Sequence, residues 1–148
     1  DMETQVCRLI YRSKAADDID AALLSEIEEV SARNNREHGV TGILVANKGA
    51  YLQVLEGERD TLVRLFRRIA MDDRHREVEL ICFNNVIERS FEDWAMKGVG
   101  VGLMGRIIGQ HLKRKYGEKD GDLALPQDKF RAFALLHDLA FYLRNKEL

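Results

Sequence analysis

Cysteine is scarce in this chain of 148 residues, and so is net charge. The two cysteines, Cys7 and Cys82, are too few and too far apart to frame a metal motif or a disulfide scaffold. Both sit in apolar, strand-like runs, which implies buried free thiols in a reducing compartment and hence a cytoplasmic protein. The formal charge of −2 supplies no general field for nucleic acid or an anionic membrane, so neither is expected as a partner. No run approaches the roughly 20 apolar residues of a membrane span, and the N-terminus shows no signal-peptide pattern. His38, His111 and His137 have no companions at metal-ligand spacing, so no metal is expected. Internal repeats and low-complexity tracts are missing as well. What remains is a chain of ordinary domain length, with enough residues to bury a core.

The most informative stretch that is present runs from Gly49 to Gly57. Glycine at both ends punctuates a short apolar run, the pattern of a buried strand. Alternation places Tyr51, Gln53 and Leu55 on one face and Leu52, Val54 and Glu56 on the other. Gln53 is therefore an amide among aliphatics. A buried polar group without partners costs roughly 1–3 kcal/mol, so Gln53 must be hydrogen-bonded. It carries an acceptor and a two-proton donor on one carbon, and is able to join two unlike polar groups and exchange their roles. The plainer alternative is a half-exposed strand residue held by backbone groups.

The rest of the chain arranges itself around that strand. Residues 5–12 read as a first strand, with Cys7, Leu9 and Tyr11 on one face, followed by a turn from Ser13. Asp20 is a plausible N-cap for a helix whose apolar face is Leu23, Leu24, Ile27 and Val30. Asn34 and Asn35 lie near its end, before Gly39. Residues 40–47 read as a strand forming a hairpin with the Gln53 strand. Asp60 is expected to cap a second helix with the stripe Leu62, Leu65, Phe66 and Ile69, and residues 78–87 form a fourth strand. Trp94 and Met96, two apart, share a face if they lie in a short fifth strand. The order β-α-β-β-α-β-β is a ferredoxin-like α+β arrangement with an added strand. Beyond it, residues 103–116 read as a helix, 121–126 as a linker, and a last helix capped by Asp128 presents a broad apolar stripe including Phe130, Phe133 and Phe141. Two units are therefore expected, residues 1–100 and a helical extension, 101–148. The extension is expected to cover the sheet face opposite the first two helices.

Tyr11, Asn34, Asn35, Gln53, Trp94 and Met96 are the residues that look out of place as core or surface. Each has an ordinary role when taken alone: a satisfied hydroxyl, a helix cap, a core aromatic. Together, in the order Leu9-Ile10-Tyr11-Arg12-Ser13, Asn34-Asn35, Val40-Thr41-Gly42-Ile43-Leu44, Gln53-Val54-Leu55-Glu56-Gly57, Asp73-Arg74-His75 and Trp94-Ala95-Met96, they resemble the BLUF domain, a blue-light sensor that uses a flavin. The resemblance covers residues 6–99. It implies a flavin between the first two helices above the sheet, FAD being the expected form and FMN and riboflavin the alternatives.

By that resemblance Tyr11 is the electron and proton donor to the photoexcited flavin, and Gln53 bridges it to the ring and rearranges after light. Asn35 holds the pyrimidine edge with Asn34 beside it, Arg74 and His75 lie near the ribityl-phosphate end, and Ile27 and Leu44 line the site. Ser13, Trp94 and Met96 resemble residues near the glutamine whose hydrogen bonding changes. The expected function is a photoreceptor rather than an enzyme, signalling to a separate protein partner, with a homo-oligomer as a further option. The rival is a small ferredoxin-like enzyme or a ligand-binding module without photochemistry. An acylphosphatase-like enzyme needs an anion-holding loop before the first helix, and residues 11–18 lack glycine and end in Asp17 and Asp18. An RNA-binding sheet needs exposed strand aromatics and a basic face, which the pattern does not show.

Overall fold

The computed structural model describes residues 5–145. Residues 1–4, and residues 146–148 of the expected extension, lie outside that description. β1 (Val6–Ala15) leads into α1 (Ala21–His38), and the hairpin of β2 (Thr41–Asn47) and β3 (Ala50–Glu58) into α2 (Arg59–Met71) and β4 (His75–Asn85). β5 (Lys97–Gly100) and a 3-10 turn, Val101–Leu103, follow. The chain continues with α3 (Arg106–Tyr116), the two-residue strands β6 (Glu118–Lys119) and β7 (Asp122–Leu123), and α4 (Lys129–Arg144). The main sheet has the order β4-β1-β3-β2-β5. Its first four strands are antiparallel neighbours, and β5 is added parallel to β2. This is the ferredoxin-like α+β arrangement with one extra edge strand.

Local chemistry sets the boundaries. The Asp20 carboxylate accepts from the Leu23 N–H at 2.8 Å and starts α1. Gly39, at φ 67°, closes the helix by donating to the Asn35 carbonyl. In the hairpin, a Cβ on Gly42 would collide with the Val54 carbonyl oxygen, so only glycine lets β2 and β3 pair there. The sheet is buried on both sides. Cys7, Leu9, Leu44 and Leu55 pack under α1 and α2 with Leu24 and Leu62. Ile10, Ile43, Val45, Leu52 and Val54 pack against Leu112, Leu135, Leu136 and Leu139 of α3 and α4. The two-faced reading of the first and third strands therefore holds.

Several boundaries differ from the pattern. β1 runs on through Ala15 instead of turning at Ser13, because β3 and β4 both continue its ladder. β4 starts earlier, at His75, paired with Ala15. Asp60 lies inside the first turn of α2, whose cap position is Glu58, without a side-chain cap bond. The expected helix over 103–116 is broken at Gly105, at φ 88°, and α3 begins at Arg106. The expected linker contains β7, paired with β6. Phe130 and Phe141, expected to be buried, are 75 % and 56 % exposed. A helix lying on one sheet face buries a single stripe, and Ala132, Leu135, Leu136, Leu139 and Ala140 occupy it. No helix among the described residues is long and apolar enough to cross a membrane.

Candidate functional site

Tyr11, Gln53 and Leu44 lie directly opposite one another across β1, β3 and β2, in one row on the face beneath α1 and α2. Tyr11 and Gln53 are both buried. The Tyr11 hydroxyl donates to Gln53 Oε1 at 2.5 Å. Gln53 Nε2 donates to the Met96 sulfur at 3.3 Å. A thioether only accepts, so the sulfur requires the amide nitrogen on its side, and the phenol then meets the amide oxygen. Burial pushes the Tyr11 phenol well above its ordinary value, with Tyr51 and Asp72 adding to the effect. Tyr11 is thus a protonated donor at any physiological pH.

The last turn of α1 brings Asn35, also buried, to the same side, where its Nδ2 donates to the Ala95 carbonyl at 2.8 Å. From the start of β4, His75 Nδ1 pairs with the Ser13 hydroxyl at 2.8 Å. Its ring lies 4.9 Å from that of Tyr51 and 5.9 Å from that of Tyr11. Burial lowers the His75 pKa, favouring the neutral ring. Arg74 pairs with both carboxylate oxygens of Asp72, which holds that acid down to about 2.

Between α1 and α2, above the row, lies a cavity of about 310 Å³. That is within the roughly 300–1,000 Å³ of small-molecule sites. All eight residues expected around a cofactor, Tyr11, Ile27, Asn34, Asn35, Leu44, Gln53, Arg74 and His75, line it. Larger clefts of about 760 and 520 Å³ open beside α3 and β5, but none of Tyr11, Asn35 or Gln53 faces them. The chemistry of the lining suits a flat heteroaromatic ring. Ile27 and Leu44 offer apolar contact, the three carboxamides of Asn34, Asn35 and Gln53 offer donor and acceptor together, and Arg74 provides a cation that is partly exposed to solvent. A flavin has a part that would match each of these groups.

Ser13, buried in β1, bonds His75. One expectation about this site is corrected. Trp94 does not share a face with Met96. Met96 packs with the α1–α2 core, whereas Trp94 packs with the C-terminal helices under the Arg144 guanidinium, 5.4 Å from its ring centre. Residues 94–96 form no strand, so alternation does not apply to them. Arg68, an exposed residue of α2, also lines the cavity. Asp72 was missed altogether. Its signal was the spacing to Arg74, whose backbone N–H it accepts at 2.9 Å in a tight turn.

The chain matches the family model described as "BLUF: Sensors of blue-light using FAD" over residues 6–97. It is 33% identical over 96 residues to the photoactivated adenylate cyclase subunit beta of Euglena longa, an alignment covering 64% of this chain and 11% of that protein. It is 39% identical over 75 residues to the blue light- and temperature-regulated antirepressor BluF of Escherichia coli strain K12, covering 50% of this chain and 19% of that one. The chain thus spans no more than about a fifth of the length of either curated relative. Among solved structures, the dark state of the BLUF protein BlrB superposes with a TM-score of 0.75 at 28% identity, covering 95% of this chain and 98% of that chain. A sensor module, not an enzyme, is what the matched segment represents: the chain belongs to the BLUF family of blue-light sensors.

Proposed function

We propose that this chain is a blue-light photoreceptor that binds FAD between α1 and α2 and signals by rearranging hydrogen bonds at Gln53. The observation that carries the reading is the unbroken chain from the Tyr11 hydroxyl through the Gln53 amide to the Met96 sulfur, beside a cavity of suitable size. When bound, the flavin supplies blue-light absorption and an excited state able to oxidise a nearby phenol. Tyr11 is the phenol in place, and its proton already lies on the bond to Gln53 Oε1. Loss of that proton to the amide oxygen removes the reason for the present Gln53 orientation. The carboxamide then rotates or changes tautomer, releases Met96, and turns a different donor pattern toward the ring. Asn35 holds the polar edge of the cofactor, with Asn34 beside it, while Ile27 and Leu44 contact its face. Arg74 and His75 lie toward its phosphate-bearing end.

In this reading residues 1–100 form the sensor and 101–148 the output extension. The signal passes to a separate protein in the cytoplasm, a location that the free thiols of Cys7 and Cys82 favour. Denaturing the purified protein and separating the released chromophore is expected to yield FAD, with FMN or riboflavin as the outcomes that would replace it. Tyr11→Phe and Gln53→Leu are expected to keep the flavin and lose the light-induced red shift. A normal shift in either variant would show that the switch lies elsewhere, and a colourless protein after reconstitution would remove the photoreceptor reading.

A further inference from the structure

Between β4 and β5, the two outer strands of the main sheet, the chain runs without regular structure and is pinned at many points. Glu56 accepts from the N–H groups of Ser90 and Phe91. The Gly42 N–H donates to the Trp94 carbonyl, and Asn35 to that of Ala95. Glu28 accepts from Gly98. These pins come from the sheet and α1. Arg144, in the last turn of α4, approaches from the other layer. Its Nε and terminal nitrogen grip the Asp93 carboxylate at 3.0 and 2.7 Å, and the same terminal nitrogen donates to the Ser90 carbonyl at 2.7 Å. The guanidinium also lies over the ring of Trp94.

One residue separates Trp94, in the C-terminal layer, from Met96, at Gln53. We propose that Arg144 is a positioning residue for the light reaction: by clamping Asp93 and Trp94 it holds Met96 where the Gln53 amide donates to it. The proposal rests on the photoreceptor reading and adds to it a direction of control, from α4 back to the switch. When the amide reverses, its oxygen replaces its nitrogen opposite a sulfur that has no proton to give, so Met96 loses its bond to Gln53. A cleft of about 520 Å³ lined by Trp94, Leu24 and Leu143 gives the indole room to shift. Arg144 then governs how readily the segment returns and restores the dark arrangement.

The test uses the flavin-loaded full chain. In Arg144→Gln and Asp93→Asn, the size of the red shift is expected to stay as it is, since Tyr11 and Gln53 are untouched. Dark recovery is expected to slow by roughly three- to fivefold, the scale at which an exposed ion pair acts. Exchanging the two charges, Asp93→Arg with Arg144→Asp, is expected to restore most of the rate. Lys115→Gln serves as control, because it removes another ion pair of α4, with Asp138, that does not touch the crossing segment. Recovery unchanged in both single variants, or slowed equally by Lys115→Gln, would overturn the positioning role while leaving the photoreceptor reading intact. Absence of any red shift in the unaltered chain would overturn both.

Discussion

Gln53 joins a group that is donating to a group that can only accept, and this makes one amide orientation the stable one in the dark. Met96 is the partner that decides it, because a hydroxyl serves either role and a thioether only accepts. His75 completes the same neighbourhood from the side, wedged between two tyrosine rings and bonded to Ser13. Burial favours its neutral form, so the folded chain takes up this proton at lower pH than the unfolded chain does. The unfolded chain then binds more protons as the pH drops below about 6.5, and the folded state loses stability there. The contribution is complete above that pH and is lost as pH falls through the folded value. Following the His75 ring signals by NMR is expected to give a midpoint below 6.5, and a midpoint at or above it would contradict the burial. Gln53 stood out in the sequence because an amide within an aliphatic strand demands explanation, whereas Tyr11 stood out only together with the other residues of the BLUF resemblance. The separation of Trp94 from Met96 was not, because alternation holds only where a ladder forces it, and residues 94–96 have none.

β3 carries buried polar side chains on both faces, Gln53 toward the cavity and Glu56 toward the C-terminal helices. Glu56 is fully buried and its carboxylate is matched on every side. Arg8 Nε donates to it at 2.9 Å, and the N–H groups of Ser90 and Phe91 do so at 3.0 and 2.7 Å. Arg8 in turn lies over the Phe133 ring of α4, 4.6 Å from its centre. The far-face position of Glu56 followed from the period of the strand. Its partners did not, since they lie 34 to 48 residues away and only the folded topology brings them together. The same holds for Phe130 and Phe141, whose exposure depends on how the helix rolls over the sheet and not on its own pattern. Glu56→Ala leaves Arg8 and two backbone donors without their acceptor. It is expected to destabilise the fold by about 3–5 kcal/mol, the usual loss on breaking a buried pair. Urea unfolding would measure it, and a loss of less than about 1 kcal/mol would show that the crossing segment does not depend on this carboxylate.

At the scale of the whole molecule the sheet is a plate with two different tenants, the cavity over the Tyr11–Gln53–Leu44 row on one side and two helices on the other. Leu52 and Val54 flank Gln53 on the opposite face and are fully buried against the C-terminal layer. A small shift of β3 is therefore felt directly by that packing, and interiors packed to crystal-like density transmit such shifts instead of absorbing them. Arg8 on Phe133 and Arg144 on Trp94 add polar ties between the sheet, the crossing segment and α4. Packing alone explains why Leu135, Leu136 and Leu139 are inside, and does not make α4 an output. Signalling requires that α3 and α4 differ in stability between dark and light by enough to shift a population. The outward face of α4 bears Phe130 and Phe141, large apolar side chains that the fold leaves wet. Amide hydrogen exchange, compared in darkness and under blue light, is expected to show faster exchange across residues 106–144 in the light, with the helix ends nearest Arg144 and Phe133 changing most. Equal protection across α3 and α4 in both states would make these helices a lid over the sheet, and the signal would then leave through the crossing segment beside Trp94 and Met96.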